Sequence, residues 1–370
     1  MLEFERLSPP PQPKGKRNLT NALCLHVERP PPPALENLPL SIYLPAFCWH
    51  FYNIHMRKLE YIVEDAFDGA EVATVLRSVL QMGRKTIRHA KFLPDGITLD
   101  GVQAYTIHKV RAGQTIKVVI GDTSEEVKAQ TMVPVEGMLD ILYEDEDLLL
   151  INKPAGMPTH PGPKHPLDSL GNILIYYFEQ TNQNCLLHPI HRLDWGTSGV
   201  IVFAKNGYTQ DVLQKRFHTN EFTRTYLAIC HGVPEAREGT VTHPIGLVEK
   251  RWIACSVEQG GKFACSHYKV LDESPDKQAS LIELQLETGR THQIRIHMAL
   301  IGHPLVGDTL YGGFDTMDGK LLIDRTALHS YHVSFEHPIT KTTFSKFAPL
   351  PKDMLFAMQR LHIPTTKISQ

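Results

Sequence analysis

The sequence has few cysteines and no long apolar run. Its 370 residues include six scattered cysteines and no C-x-x-C pair. A chain of this length does not depend on a disulfide framework, so the sequence predicts a reducing, cytoplasmic setting. No segment approaches the ~18 consecutive apolar residues of a membrane helix. No basic segment followed by an apolar stretch indicates a secretory signal. We therefore expect no membrane partner.

The sequence also lacks an excess of positive charge. Lysine and arginine total 38 against 40 acidic residues, which gives a formal net charge of −2. This balance disfavours a protein that coats nucleic acid through bulk electrostatics, but it allows a local basic surface. The apolar fraction of 42% is ordinary for a globular chain, and the length allows two domains.

The two ends of the chain are predicted to lie outside the folded domains. Residues 1–55 contain PPPQP and RPPPP and show no sustained apolar period. We expect a disordered or non-native extension, with Met56 as an alternative start. A transit peptide, which the acidic residues and prolines fit poorly, and a functional tail are the other interpretations. Residues 359–370 are predicted to form a C-terminal tail.

A basic helical segment opens the ordered part of the chain. Apolar residues recur at helical spacing from Val72 to Leu80. Asp-Gly turns and the strand-like segments VQAYTIHKV and QTIKVVI then predict a small hairpin sheet, so that residues 56–122 form a compact module. The segment RKTIRHAK, between the helical residues and the first Asp-Gly turn, carries four basic residues and no acid: Arg84, Lys85, Arg88 and Lys91. Such residues favour contact with RNA phosphates, and the alternative is a solvated helix face.

The rest of the chain is predicted to be a polar linker, residues 123–139, and a larger α+β domain, residues 140–358. Strand-like and helical segments do not alternate regularly there, which disfavours a Rossmann or barrel fold. Helices are expected in LDSLGNILIYYF, in TQDVLQKRF with Thr209 as its N-cap, and in THQIRIHMALIG.

The segment HRLDWGTSGV contains the first candidate for chemistry. Asp194 follows Arg192 by two residues and precedes small, turn-prone residues. The carboxylate has either a functional role or a structural one, in which it accepts hydrogen bonds from the following turn.

Four long motifs occur in order: KPAGMPTHPG (153–162), HRLDWGTSG (191–199), GRTHQIRIHMALIGHPLVGDTLYG (289–312) and RTALHSYHVSFEHP (325–338). Together they resemble the RluA-type pseudouridine synthases, which modify ribosomal and transfer RNA. The resemblance implies an α+β core, with a mixed, largely antiparallel sheet flanked by helices and a basic active-site cleft. It implies cleavage of a uridine N-glycosidic bond, rotation of the base and rejoining through carbon five, with no metal and no organic cofactor.

The resemblance also assigns the charged residues of the site. Asp194 matches the catalytic aspartate, which must be ionised to act as a nucleophile or as a base. A nearby cation favours the ionised form, and the family's partner cation matches Arg295, with Arg290 as the alternative. Arg192 matches the residue that helps to expel the target base from the RNA. Attack on the sugar, attack on the base and a glycal route all remain open.

An aromatic residue completes the implied site. Tyr226 in RTYLA matches the active-site tyrosine, on which a flipped base can stack. The alternative is a tyrosine that only fills the core of a strand. Arg224 stands where the family usually has lysine, and this change keeps the charge.

The basic module resembles the ribosomal-protein-S-four-like, or alpha-L, RNA-binding domain, although FLPDGITLDGV lengthens its turn region. The resemblance therefore implies structured RNA as the partner of a protein expected to be a monomer.

Two other functions are weighed against this interpretation. Cys185, His188 and His191 in CLLHPIH have the spacing of a zinc hydrolase site, although Pro189 breaks a helix that would align them. A catalytically inactive RNA-binding protein on the same fold is the second alternative.

Overall fold

The computed structural model describes residues 57–247, 254–256, 260–314, 316–317 and 320–365, and all of them fall in one compact unit. The predicted N-terminal extension therefore lies outside the described residues. No helix among the described residues is long and apolar enough to cross a membrane.

The helices and strands are as follows. The helices are α1 (Val72–Ser78), α2 (Arg84–Phe92), α3 (Ser124–Lys128), α4 (Leu170–Gln180), α5 (Gly207–Arg216), α6 (Gln293–Leu300) and α7 (Lys352–Arg360), with a 3-10 turn at Asp65–Phe67. The first nine strands are β1 (Arg57–Ile62), β2 (Ile97–Leu99), β3 (Val102–Gln103), β4 (Thr115–Ile120), β5 (Ile141–Glu144), β6 (Leu148–Lys153), β7 (His188–Pro189), β8 (Ser198–Ala204) and β9 (Phe222–His231). The other nine are β10 (Glu238–Thr242), β11 (Ile245–Leu247), β12 (Ala254–Ser256), β13 (Cys265–Glu273), β14 (Ala279–Leu286), β15 (Thr316–Met317), β16 (Lys320–Leu321), β17 (Leu328–Glu336) and β18 (Thr343–Phe347).

A ten-stranded sheet forms the main body. Its strands follow the order β10-β13-β14-β9-β17-β8-β6-β5, with β18 paired to β17 and β7 paired to β8. The pairing of β17 with β8 is parallel and the other pairings are antiparallel. The predicted α+β fold, with a mixed, largely antiparallel sheet, is therefore confirmed. The central strands β6 and β8 read as continuous apolar runs because they are buried along almost their whole length.

The N-terminal module is a four-stranded antiparallel sheet, in the order β1-β4-β2-β3, with α1 and α2 beside it. Its apolar cluster includes Tyr208 and Val212 of α5, so the module packs on the main body. Asp211 of α5 also accepts a hydrogen bond from the Gly83 N–H, at 2.7 Å, where α2 begins. The basic helix is thereby held against the main body.

The predicted strand VQAYTIHKV is wrong beyond its first two residues. After Gln103 the chain crosses the start of α1, where its carbonyls accept hydrogen bonds from free helix N–H groups. Ala73 donates to Thr106 O at 2.9 Å, and Val72 donates to His108 O at 2.8 Å. Satisfying these unpaired donors takes precedence over extending the hairpin.

Three other details differ from the sequence prediction. Thr209 is not the cap of α5, because its N–H donates to the Asn206 side chain, which is the N-cap. The predicted linker contains α3 and is attached to the main body, where Val135 N–H donates to Asn172 O at 3.1 Å. The predicted tail overlaps the end of α7, and Leu361 and Ile363 are buried in an apolar cluster.

Candidate active site

A cleft of about 170 Å³ lies between the loop that follows β7, strand β9 and the start of α6. Its lining includes four residues that the sequence assigned to the site: Arg192, Asp194, Tyr226 and Arg295. The fold therefore brings together side chains from three separate motifs. The start of α6 lines the cleft as well, and the positive end of its helix dipole favours an anion there.

The loop that carries Asp194 is held mainly through its backbone. The Leu193 N–H donates to Thr159 Oγ1 at 3.2 Å, and the Gly156 N–H donates to the Trp195 carbonyl at 2.8 Å. The turn after Asp194 closes when Thr197 N–H donates to the main-chain carbonyl of Asp194, at 3.1 Å. The carboxylate is not needed for this closure, so it is available to the cleft.

Arg325 also holds the loop that carries Asp194. Its Nη1 donates to Gly196 O at 3.0 Å, while Nε and Nη2 donate to the Asp353 carboxylate at 2.6 and 2.9 Å. The guanidinium also donates to the carbonyl of Leu328 at the start of β17. The RTALHSYH motif therefore acts on the site by positioning the aspartate loop.

Asp194 is 24% exposed, and His292 lies within ion-pair distance of it. The distance from His292 Nε2 to Asp194 Oδ2 is 3.9 Å, and His292 Nδ1 lies 2.9 Å from the Tyr311 hydroxyl. Burial lowers the pKa of His292, although the charge of Asp194 acts in the opposite direction. The imidazole is therefore predominantly neutral at neutral pH.

Lys153 is a buried cation near Asp194. Its side chain is 0% exposed, and Nζ donates to the carbonyls of Pro154 and Met157, both at 2.8 Å. Burial lowers the pKa of Lys153 to about 7, with Asp194 opposing this shift and Arg325 adding to it. A buried amine with this pKa supplies a partial positive charge close to the aspartate.

Arg295, the expected partner cation of Asp194, forms its ion pair with Asp308. Its Nε and Nη2 each donate to an Asp308 carboxylate oxygen at 2.7 Å, and Asp308 is 0% exposed. Two of the five guanidinium N–H groups are therefore engaged by a buried carboxylate other than Asp194. Arg295 and Asp194 still attract each other through space. The alternative, Arg290, lines the cleft and donates from Nε to Phe263 O at 3.0 Å.

Tyr226 lies in β9 between Leu284 of β14 and Ser330 of β17. The ring belongs to the main apolar cluster and also lines the cleft, so its role as a stacking surface stays a prediction. Burial raises the pKa of the phenol, with Arg224 opposing and Asp194 reinforcing this shift. The hydroxyl is therefore neutral at neutral pH.

Arg224 is buried beside Tyr226, where it forms part of the cleft wall. Its guanidinium carbon lies 3.8 Å from the ring centre of Phe217, and Nη2 donates to Leu286 O at 3.2 Å. The buried Nε has no hydrogen-bond partner within the described residues. Burial lowers the pKa of Arg224, but a guanidinium remains charged at neutral pH.

The rim of the cleft and the basic helix are open to solvent. Arg192 and Trp195 are exposed on either side of Asp194. The four basic residues of α2 that the sequence singled out, Arg84, Lys85, Arg88 and Lys91, are all exposed, while Ile87 and Ala90 face the module core. With Arg77 and Phe92, three of these four residues line a shallow groove of about 310 Å³.

The zinc hydrolase hypothesis has no geometric support in the described part of the chain. His188 Nε2 contacts Asp122 at 2.9 Å, and His191 Nε2 accepts a hydrogen bond from the Val202 N–H at 3.3 Å. Cys185 is buried, and burial raises the pKa of its thiol to about 12. The described clusters with metal-ligand geometry lie elsewhere and contain none of these three residues.

Sequence reasoning missed Lys153, His292 and Arg325 as individual members of the site. Lys153 has a readable signal, because a charged residue closes the apolar run LLLIN. His292 has no such signal, because its position depends on a left-handed backbone with φ of 55° at the start of α6. Arg325 lies within the RTALHSYHVSFEHP motif, but its contact with Gly196 joins segments 129 residues apart.

Comparison with known proteins places this arrangement in a family. Residues 147–300 match the RNA pseudouridylate synthase family. The chain is 37% identical over 298 residues to an uncharacterized RNA pseudouridine synthase, YhcT, of Bacillus subtilis, with 80% of this chain and 95% of that protein covered. It is 33% identical over 318 residues to ribosomal large subunit pseudouridine synthase D of Nitrosomonas europaea, with 84% and 90% covered.

Solved structures include human RNA pseudouridylate synthase domain containing 4. That chain is 25% identical with a TM-score of 0.49, and the match covers 65% of this chain and 97% of that one. The sequence relatives decide the assignment, since one of them is 37% identical over nearly its whole length. The chain belongs to the RluA-type RNA pseudouridine synthase family, whose members isomerise uridine to pseudouridine in RNA.

Proposed function

We propose that the chain isomerises uridine in ribosomal or transfer RNA, with Asp194 as the reacting carboxylate. The supporting observation is that Asp194, Arg192, Tyr226 and Arg295, from three separate motifs, line one cleft. Ribosomal RNA is the first substrate class to test, because several relatives carry the name ribosomal large subunit pseudouridine synthase D.

The target uridine has to leave its base stack before Asp194 can reach it, at a cost of a few kcal/mol. In this proposal Arg192 enters the RNA from the exposed rim and occupies the place of the expelled base. Stacking of the flipped base on Tyr226 returns ~1–3 kcal/mol. The neutral phenol can also donate a hydrogen bond without adding charge to the site.

Two cationic side chains act electrostatically on Asp194. Lys153 interacts with it from a buried position, and Arg295 acts from a position fixed by Asp308. The same cations stabilise negative charge that develops on the uracil ring during glycosidic bond cleavage.

The groove on α2 is proposed to extend the RNA contact beyond the cleft. Its basic residues are exposed and unpaired with acids on the same helix, as phosphate contacts require. The exposed ring of Phe92 beside Lys91 adds a surface on which an unpaired base can stack. We further propose that residues 56–122 act as an RNA-binding domain of a cytoplasmic, monomeric enzyme.

The proposal is tested by Asp194→Asn with RNA that carries tritium at carbon five of uridine. We expect tritium release to fall below a few per cent of wild type, because the amide keeps the shape of the side chain but cannot react. The RNA affinity and melting temperature of Asp194→Asn should stay close to wild type. The control is Asp168→Asn, which changes an exposed carboxylate outside the cleft and should keep wild-type tritium release, RNA affinity and melting temperature. Substantial turnover by Asp194→Asn, or a large loss of stability, would contradict the assignment.

A further inference from the structure

Three side chains with metal-ligand chemistry meet at the sheet, outside the cleft. Cys265 and His267 lie two residues apart on β13 and therefore face the same side. Glu287 follows β14 directly and lies opposite Cys265, to whose carbonyl its N–H donates at 3.3 Å. His267 Nε2 is 3.9 Å from Cys265 Sγ and 2.7 Å from Glu287 Oε1. All three donor atoms lie within 4.8 Å of one another.

The neighbouring strand β10 supports two of these side chains. Thr240 Oγ1 lies 2.8 Å from His267 Nδ1, and Thr242 Oγ1 donates to Cys265 Sγ at 3.8 Å. When Nδ1 donates to the threonine hydroxyl, Nε2 carries the lone pair that binds a metal. Outer hydrogen bonds of this kind orient ligands in metalloproteins. Two ligands and their supports therefore come from the adjacent strands β13 and β10, and the third ligand directly follows β14.

We propose that Cys265, His267 and Glu287 bind one Zn²⁺ ion, with water as the fourth ligand. Thiolate, imidazole and carboxylate are the three ligand types that zinc takes in proteins, at ~2.0–2.3 Å. Tetrahedral geometry at these lengths places donor atoms about 3.3–3.8 Å apart, close to the present separation of sulfur and imidazole nitrogen. The histidine–glutamate contact has to open by under about 1 Å. Glu287 is 52% exposed, which allows this movement.

The proposed ion lies next to the wall of the catalytic cleft. The Cys265 N–H donates to Thr288 Oγ1 at 3.0 Å, and Gln293 Nε2 donates to the Cys265 carbonyl at 2.9 Å. Gln293 begins α6, the helix that carries Arg295. Zinc would thus fix the turn from Glu287 to α6 without taking part in the reaction, since none of its three ligands lines the cleft.

The test uses the full chain without a histidine tag, stripped of metal by a chelator and titrated with Co²⁺. We expect one equivalent to bind with a thiolate-to-cobalt absorption band, and Zn²⁺ to displace it. Cys265→Ser and His267→Asn should remove the band, and Thr240→Val should weaken Zn²⁺ binding by about 10–100-fold, as for outer ligand supports elsewhere. His165→Asn is the matched control, because His165 contacts the Asp168 carboxylate at 2.7 Å outside this cluster.

Three outcomes would overturn the proposal. They are the lack of a thiolate band in the wild type, a band that survives either Cys265→Ser or His267→Asn, and a band that His165→Asn removes. Each would mean that His267 and Glu287 form only a hydrogen-bonded pair. If circular dichroism shows that Cys265→Ser is unfolded, His267→Asn and Glu287→Gln decide the question, because both residues are about half-exposed. Loss of the band in both, with the fold intact, supports the site, and retention in either one refutes its stated ligand set.

Discussion

Asp194 lies near three basic side chains that differ in burial and in charge. Lys153 is buried, His292 is near but mainly neutral, and Arg295 is fixed by another carboxylate. The site therefore does not depend on a single ion pair with the aspartate. Its electrostatics come from the summed field of groups that the fold holds in place.

The buried amine of Lys153 makes stability depend on pH. Its pKa is about 7 in the folded chain against an ordinary value of 10.5, so the unfolded state binds more protons between these values. The contribution of Lys153 to the free energy of unfolding therefore rises as the pH increases from about 7 to about 10. We expect Lys153→Met to flatten that rise, as measured by melting temperature across this range. An unchanged slope would mean that Lys153 is charged when folded.

The ion pair of Arg295 and Asp308 should contribute more to the free energy of unfolding than the ion pair of Arg325 and Asp353. Asp308→Asn removes a carboxylate that is 0% exposed and leaves Arg295, which is 13% exposed, without its anion; breaking such a pair typically costs ~3–5 kcal/mol. Asp353→Asn breaks the bidentate contact with Arg325, but Asp353 is 37% exposed, so water can replace the lost partner. Denaturant unfolding of the two variants should therefore show the larger loss for Asp308→Asn. Equal losses would contradict the role assigned to burial.

At the scale of elements, the regular segments could be predicted and the contacts between them could not. The apolar runs of β6 and β8 and the periodicity of α1 and α6 follow local rules. Strand β3 is shorter than the sequence predicts because the chain after it accepts hydrogen bonds from the unpaired N–H groups at the start of α1. This contact is tertiary, so local sequence rules do not reveal it. Asp194 was identifiable from its motif, whereas the preference of Arg295 for Asp308 depends on a turn formed after α6.

The basic helix α2 should add affinity without affecting chemistry. Changing Arg84, Lys85 and Arg88 together to alanine should raise the half-saturating RNA concentration and leave the single-turnover rate at saturation near wild type. Each lost phosphate contact should reduce the slope of log affinity against log salt by ~0.7–0.9. Replacing Glu125 and Lys128 of α3, an exposed acidic and basic pair, provides a control for charge changes on a neighbouring helix.

Two other results for the triple alanine variant of α2 would contradict this expectation. An unchanged affinity and salt slope would mean that the exposed helix face is only solvated. A collapse of the saturated rate would mean that α2 positions the cleft, through its contact with Asp211 of α5, and does more than hold RNA.

At the scale of the whole molecule, the described residues from 57 onward contain both the cleft and the basic groove. We therefore expect a chain lacking residues 1–55 to retain its activity on RNA. Tritium release by the shortened and complete chains, at matched concentrations, measures this directly. A shortened chain that is insoluble or inactive would show that the Pro-rich segment contributes to folding or to RNA contact.

The central claim is that this chain forms pseudouridine in RNA through Asp194. Pseudouridine mapping of total RNA, in cells with and without the gene, tests it most directly when wild type and Asp194→Asn are each restored. The account predicts that specific uridines of ribosomal or transfer RNA lose the modification, that wild type returns it and that Asp194→Asn does not. An unchanged map, or full restoration by Asp194→Asn, would contradict the account.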